Sequence, residues 1–290
     1  MEIIEINQTN LERLSEIIPP DVTENIGRLW YRGLFADDYS SDIPSGGIIW
    51  EYKNAGDDEK ETDAEIVWAA GDDRETLEEL LESYTNMIEE EATVRSKFEL
   101  PLPREKEFIE EAFKEDGFEL GKRESRDVSL TVQDLTGLKL AKKKPAFYIK
   151  PISELNFRQF RNGIIDVLFY ERKGLMEDLA WVSMDWFEQD ISSCVVMDDD
   201  VKGFFLVHKT TTGILFPVLL FAVDIDQNKT VLELLRFTVR EVIKRYPSET
   251  EIVIRRHNST VRALVQNLFP GKEGETVMTG ARDEKTGGND

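Results

Sequence analysis

Cys194, His208 and His257 are the scarcest reactive groups in the sequence, and their scarcity already disfavours several chemistries. One cysteine forms no intramolecular disulfide, and two histidines fall short of the usual zinc and haem ligand sets. A Ser-His-Asp triad is disfavoured for the same reason. His208 ends a strand-like run and His257 sits at a strand-to-helix junction, where a lone histidine is usually a surface or capping residue. Cys194 reads as a small strand residue inside a sheet. Asp198-Asp199-Asp200 gathers three carboxylates, but a Mg2+ or Ca2+ loop spaces its ligands and carries a turn glycine, so the triplet reads as a solvated hairpin turn. Trp30, Trp50 and Trp68 fall on three successive strand-like segments and either line a cleft or pack across strands, the latter being simpler. No P-loop, dinucleotide fingerprint, zinc motif or nucleophile elbow is present.

Charge restricts the partners. The 290 residues hold 36 Lys plus Arg against 58 Asp plus Glu, a net charge of −22. Residues 1–140 carry 15 basic and 36 acidic side chains, and residues 141–290 carry 21 and 22, so nearly all the excess lies in the first half. Such a surface repels phosphate backbones and acidic membranes, which argues against nucleic acid and membrane partners and weakly favours cationic amines or basic proteins. No apolar run approaches the roughly 20 residues of a membrane span, and the opening MEIIEINQTN lacks a basic and an apolar region. A cytoplasmic protein is expected.

The elements that must hold any site follow from periodicity. In the first half, Ile4 and Ile6 alternate with polar residues as a strand, and a helix from about Leu11 should break at Pro19-Pro20. Extended segments 28–35, 47–52 and 64–70 read as an antiparallel meander. Leu77, Leu80, Leu81, Tyr84 and Ile88 then recur at helical spacing behind Asp72-Asp73, whose carboxylates suit a helix N-terminus. A strand near 98–100 leads to a helix striped by Phe108, Ile109, Ala112 and Phe113, with Gly117 as its C-terminal cap. Strands at 118–120 and 128–132 close this half.

Gly137 and Lys142-Lys143-Lys144 interrupt the pattern over 136–145, which reads as a solvated linker, so the expected domains are 1–140 and 141–290. A strand at 146–151, helices at 155–171 and 177–190, and a hairpin of 194–197 with 201–207 follow. A long strand at 213–223, a helix from about 229 to Tyr246, a strand at 251–254 and a helix starting at Asn258 or Ser259 complete the second half. The tail is polar and Gly-rich, with one strand near 276–279 and then a disordered end.

This order resembles the GNAT acyltransferase superfamily, repeated in tandem over nearly the whole chain. The likeness is strongest at CVVMDDDVKGFFLV, similar to the family's second and third strands, and at EEAFKEDGFEL, similar to its last helix entering a Gly-Phe strand. The resemblance implies an α+β protein of two GNAT-like domains, each a mostly antiparallel mixed sheet flanked by helices. It also implies that the fourth and fifth strands part, and that the pantetheine arm of acetyl-CoA lies between them like an added strand. Those strands would be 215–224 with 251–256, and 64–70 with 98–100.

The residues that the family uses are carried over only in part. Its glycine-rich pyrophosphate loop would correspond to Val223, Asp224, Ile225, Asp226, Gln227, Asn228, Lys229 and Thr230. That stretch has no glycine and two carboxylates that oppose phosphate. Lys229 and the side chains of Asn228 and Thr230 offset this in part, and Asn258 matches a frequent family position; the same residues also suit ordinary helix starts. In the first half the loop retains only Gly71, followed by Asp72 and Asp73, so no phosphate is expected there. The family's tyrosine acid, four residues before the Gly-Phe pair, is replaced by Phe113, which has no proton to give. Glu251 and Asp224 flank the second gap as candidate bases. Two classes of function remain: an acyl-CoA-dependent N-acetyltransferase acting on an amine without any metal, or a non-catalytic protein of the same fold that binds a small molecule or a basic partner.

Overall fold

The apolar alternation that opens the chain becomes β1 (Glu2–Glu5) in a computed structural model, which describes residues 1–284 apart from 8, 15–16, 29, 40, 42, 55–61, 92, 103–106, 171–178, 180–181, 224–226 and 257. The helix after it is short: α1 spans Leu11–Leu14, and Pro20 occupies the first turn of a separate α2 (Pro20–Thr23), where its missing N–H costs nothing. The meander forms as β2 (Tyr31–Asp37), β3 (Gly46–Asn54) and β4 (Thr62–Gly71), all antiparallel neighbours. Next come α3 (Arg74–Glu90), β5 (Thr93–Pro101), α4 (Phe108–Glu115) and β6 (Glu119–Glu124). Gly117 follows α4 at φ +88°, the left-handed conformation that a helix C-terminus favours and a Cβ disfavours.

The remaining elements are β7 (Asp127–Thr131), α5 (Val132–Thr136), β8 (Ile149–Pro151), α6 (Phe157–Tyr170), β9 (Ser193–Met197) and β10 (Asp200–Lys209). They continue with β11 (Leu215–Ala222), α7 (Gln227–Arg245), β12 (Glu251–Arg255), α8 (Ser259–Leu268) and β13 (Thr276–Asp283). Asp198 and Asp199 both take positive φ between β9 and β10, the geometry of a two-residue hairpin turn. Among the described residues, no group of three or more His, Cys, Asp or Glu could hold a metal ion, and no helix is long and apolar enough to cross a membrane.

These elements make two mixed, mostly antiparallel sheets flanked by helices, one of order β1-β2-β3-β4-β5-β13-β6 and one of order β7-β12-β11-β10-β9-β8. The units are therefore not residues 1–140 and 141–290. One is Met1–Ser125 with Glu275–Asp290 and the other Arg126–Gly274. The reason lies in the apolar stripe Val128, Leu130, Val132, Leu135, Leu138 and Leu140, which is buried in the second unit's core. β7 pairs with β12 through Ile252↔Leu130 and Ile254↔Val128, so it closes the second sheet and not the first. The expected linker is likewise structured, with a 3-10 turn at Lys139–Lys142 and Arg240 Nη1 donating to the carbonyls of Ala141 and Lys143 at 3.3 and 3.4 Å. Conversely β13 inserts between β5 and β6 of the first sheet.

The expected helix at 177–190 falls partly outside the described residues, and from Val182 onward it is not a helix beyond one 3-10 turn, Met184–Trp186. Side-chain and backbone pairing to β10 takes its place. The Trp186 ring stacks on His208 at 3.8 Å, His208 Nδ1 donates to the Trp186 carbonyl at 2.7 Å, and Glu188 N donates to the Val207 carbonyl at 2.8 Å. The three tryptophans of the first unit do not share a cleft. Trp50 is fully buried edge-on against Tyr84 at 5.0 Å, Trp30 packs at the border of that same core, and Trp68 packs against the core on the α1 and α2 side.

Candidate functional site

β11 and β12 run parallel and meet through a single residue pair, Leu215↔Ile252. Beyond it the strands part. The cause is local: Leu206 pairs with Leu219 but Val207 with Pro217, so Val218 is an extra residue that bulges β11. Pro217 suits this place, because a proline has no ladder N–H to offer and is confined to edges and bulges. The first unit repeats the device. Ile49 pairs with Trp68 and Trp50 with Ile66, leaving Val67 as the bulge in β4, and the parallel β4–β5 ladder ends at Ile66↔Phe98, beside it. The sequence reading missed both bulges, although Pro217 inside an apolar run was a visible signal for one.

In the second unit a cavity of about 110 Å³ lies where β11 and β12 part, roofed by α7 and α8. Among the described residues, Thr238 and Arg255 are its only polar lining side chains, and both are engaged elsewhere. Thr238 Oγ1 lies 3.1 Å from Ser193 Oγ, and Arg255 donates through Nε and Nη2 to the two carboxylate oxygens of Asp127, each at 2.9 Å. The strands' C-terminal ends define the open end of the wedge, and α7 begins there with no acidic side chain in its first turn. Amides at such a helix start, together with its dipole, favour an anion.

The sequence-derived residues separate along this wedge. Val223 follows β11 at the open end, but its amide already donates to the Lys202 carbonyl at 2.7 Å and is not available to a phosphate. Asp224 and Ile225 lie outside the described residues. Asn228 and Lys229 are exposed in the first turn of α7, whereas Thr230 is buried. Asn258 is at the same end, where its Oδ1 accepts from Val261 N at 2.9 Å as the N-cap of α8. Glu251 is elsewhere: it is exposed at the start of β12, opposite Thr131 and next to the one paired step, so it does not flank the opening. Cys194 is buried in β9, and burial pushes its thiol up to about 12, which leaves no thiolate at neutral pH.

The first unit's equivalent strand, β5, carries a packed aromatic cluster at its last parallel pair. Phe98 of β5 packs against Phe113 at 4.4 Å and Phe118 at 5.3 Å, all three being buried. A Cβ on Gly280 of β13 would meet the Phe98 ring at 2.2 Å, so the ring leaves no space on that side either. The start of α3 is taken by its own carboxylate, Asp73 Oδ1 accepting from Thr76 N at 2.8 Å, and this backbone N–H holds the carboxyl below its ordinary pKa. Arg74 beside it is bound by Glu78, Glu111 and Glu115.

No protein-family model and no curated protein matches the sequence. Solved structures do. A tandem GNAT protein from the clavulanic acid biosynthesis pathway aligns over 100% of both chains at 12% identity and a TM-score of 0.61. A conserved Enterococcus faecalis protein of unknown function, described as a probable N-acyltransferase, aligns over 98% of this chain and 73% of its own at 10% identity and TM-score 0.53. A GCN5-related N-acetyltransferase from Kribbella flavida aligns over 97% and 70% at 13% identity and TM-score 0.50. With the parted parallel strands and the bulges, these likenesses define a tandem GNAT fold, two units of that fold in one chain.

Proposed function

We propose that the second unit binds acetyl-CoA or a related acyl-CoA between β11 and β12 and serves its transfer to an amine. The observation that carries the reading is the single paired step Leu215↔Ile252, after which two parallel strand edges face a cavity instead of each other. Backbone donors and acceptors along such edges suit a ligand arm rich in amides. First-turn amides of α7, with Asn228, Lys229 and Thr230, are the groups for the pyrophosphate. When bound, the cofactor supplies an activated thioester. The chain's part is to orient that arm, exclude water at the apolar parting point and provide a proton acceptor for the amine, Asp224 being the candidate.

A second reading, a binding protein that uses the same wedge without chemistry, is favoured by one specific feature: among the described residues, those lining the cavity include no carboxylate, histidine or tyrosine. Calorimetric titration with acetyl-CoA tests both readings. Binding is expected, and Lys229→Glu is expected to weaken it by about 5- to 10-fold, the scale of roughly 1–1.4 kcal/mol. Neither heat nor a rise in melting temperature at millimolar ligand overturns both. Binding without release of free CoA thiol from acetyl-CoA when a polyamine such as spermidine is supplied as acceptor selects the second.

A further inference from the structure

We infer that the segment 139–150 of the second unit docks on an anionic lipid surface, its lysines meeting the headgroups and Phe147 entering the interface between them. This is independent of the acyl-CoA reading. Acidic residues make up 58 of the 290 in the chain, yet the 19 from Leu135 to Ser153 include none, and five of those are lysine. Lys139, Lys142, Lys143 and Lys144 are all exposed, and among the described residues none of the four has a carboxylate partner. Lysines elsewhere do: Lys53 lies 2.8 Å from Glu65, Lys97 2.9 Å from Asp63, Lys122 3.0 Å from Glu110 and Lys272 2.9 Å from Asp134. A run of unpaired cations in so acidic a chain is open to an anion from outside.

The fold holds this run out as a tip. Ile149 N donates to the Ala146 carbonyl at 3.1 Å, closing a turn with Phe147 and Tyr148 at its corners, and Ala146 N donates to Glu233 Oε2 at 2.8 Å. Arg240 of α7 holds the carbonyls of Ala141 and Lys143. The backbone is thus pinned while Phe147 exposes 95% of its surface, against 71% for Phe157, the next most exposed large apolar side chain among the described residues. An aromatic ring on a protruding turn, preceded by lysines, suits a bilayer interface, where cations meet anionic headgroups and the ring leaves water. A nucleic acid asks instead for a groove that tracks its backbone, and a protein partner for a patch of about 800 Å² per side. The repulsion expected from the net charge of −22 belongs to the other unit: residues 126–274 carry 21 basic and 20 acidic side chains. Charges farther off than about 8 Å are largely screened at physiological ionic strength.

Each lysine near an anionic leaflet is worth about fivefold in binding. The test is co-sedimentation of the full chain with phosphatidylcholine vesicles and with vesicles in which about 30% of the lipid is phosphatidylserine. Binding is expected to the anionic vesicles alone at about 0.1 M salt, and should weaken at least about tenfold at about 0.5 M. Lys142→Gln/Lys143→Gln/Lys144→Gln should weaken it about 100-fold, and Phe147→Ser about tenfold with the salt dependence kept. All four side chains are exposed, and an unchanged melting temperature shows that the variants fold. No binding to anionic vesicles at low salt overturns the inference, and so does binding that the triple variant retains. Binding indifferent to Phe147→Ser overturns entry of the ring. Capture of a single-stranded oligonucleotide or of polyglutamate without vesicle binding would give the same lysines to nucleic acid or to an acidic protein, and overturns the lipid surface.

Discussion

Met278, in the last strand of the chain, lies opposite Leu100 inside the sheet of the first unit. On its other side it faces Lys122 of β6, so β13 is an interior strand and both of its edges are paired. Met278 itself is buried in the core with Phe98, Phe113 and Phe118. Removing residues 275–290 would strip the ladder from β5 and β6 together and open that core. The 1–274 chain is therefore expected to lose protection of β5 and β6 amides in hydrogen exchange, while β10 and β11 amides stay protected, since 126–274 keeps all six strands of its own sheet. Protection of β5 and β6 that survives the truncation would show that the first unit does not depend on this strand.

The same strand marks the limit of what periodicity can report. Alternation in Val128 and Leu130, and the short apolar pair Val277-Met278 in a polar tail, identify strands correctly, because a strand shows itself in its own residues. Nothing in those residues names the partner, and chain proximity suggested the wrong sheet for β7. The helices α3, α4, α7 and α8 were legible for the complementary reason: their stripes, and the caps Asp73 and Asn258, are local signals. The segment after Val182 failed because packing of Trp186 on His208 overrides an apolar spacing that resembles a helix. At the site, the absence of a glycine loop was readable, whereas the bulge at Val218 is a property of register between strands and was not.

Acid stability follows from carboxylates held in their charged form. Asp37 is buried and accepts from Arg13 Nη1 at 2.7 Å and Nη2 at 3.2 Å, and from Tyr39 N at 3.1 Å. The Arg13 hydrogen bonds, ahead of the opposing effect of burial, hold its carboxyl below the ordinary value near 4. A depressed folded pKa means that the unfolded chain binds the proton first on acidification. The contribution is thus complete above about pH 4 and is lost as pH falls through the folded pKa. Asp37→Asn should cost about 1–3 kcal/mol at pH 7, discounted for the half-exposed arginine, and urea midpoints measured from pH 7 down to pH 3 should converge with wild type at the acid end. Parallel curves would mean that Asp37 is not titrating as this geometry requires.

Phe113 stands where the family resemblance puts a proton donor, which raises the question of whether a hydroxyl there would restore chemistry to the first unit. The packing says otherwise. Phe113 is 0% exposed, 4.4 Å from the Phe98 ring and 5.3 Å from the Phe118 ring, so a group added to it meets packed aromatic carbon. Phe113→Tyr would bury a hydroxyl among aromatic carbon, and a buried donor without a partner costs about 1–3 kcal/mol. The expected outcome is a lower unfolding midpoint for the first unit with acetyl-CoA affinity and acyl transfer both unchanged, measured by urea denaturation, calorimetry and thiol release on one preparation. A rise in transfer rate at unchanged stability would instead place a working acid in a wedge that opens, and would return the first unit to the catalytic half of the problem.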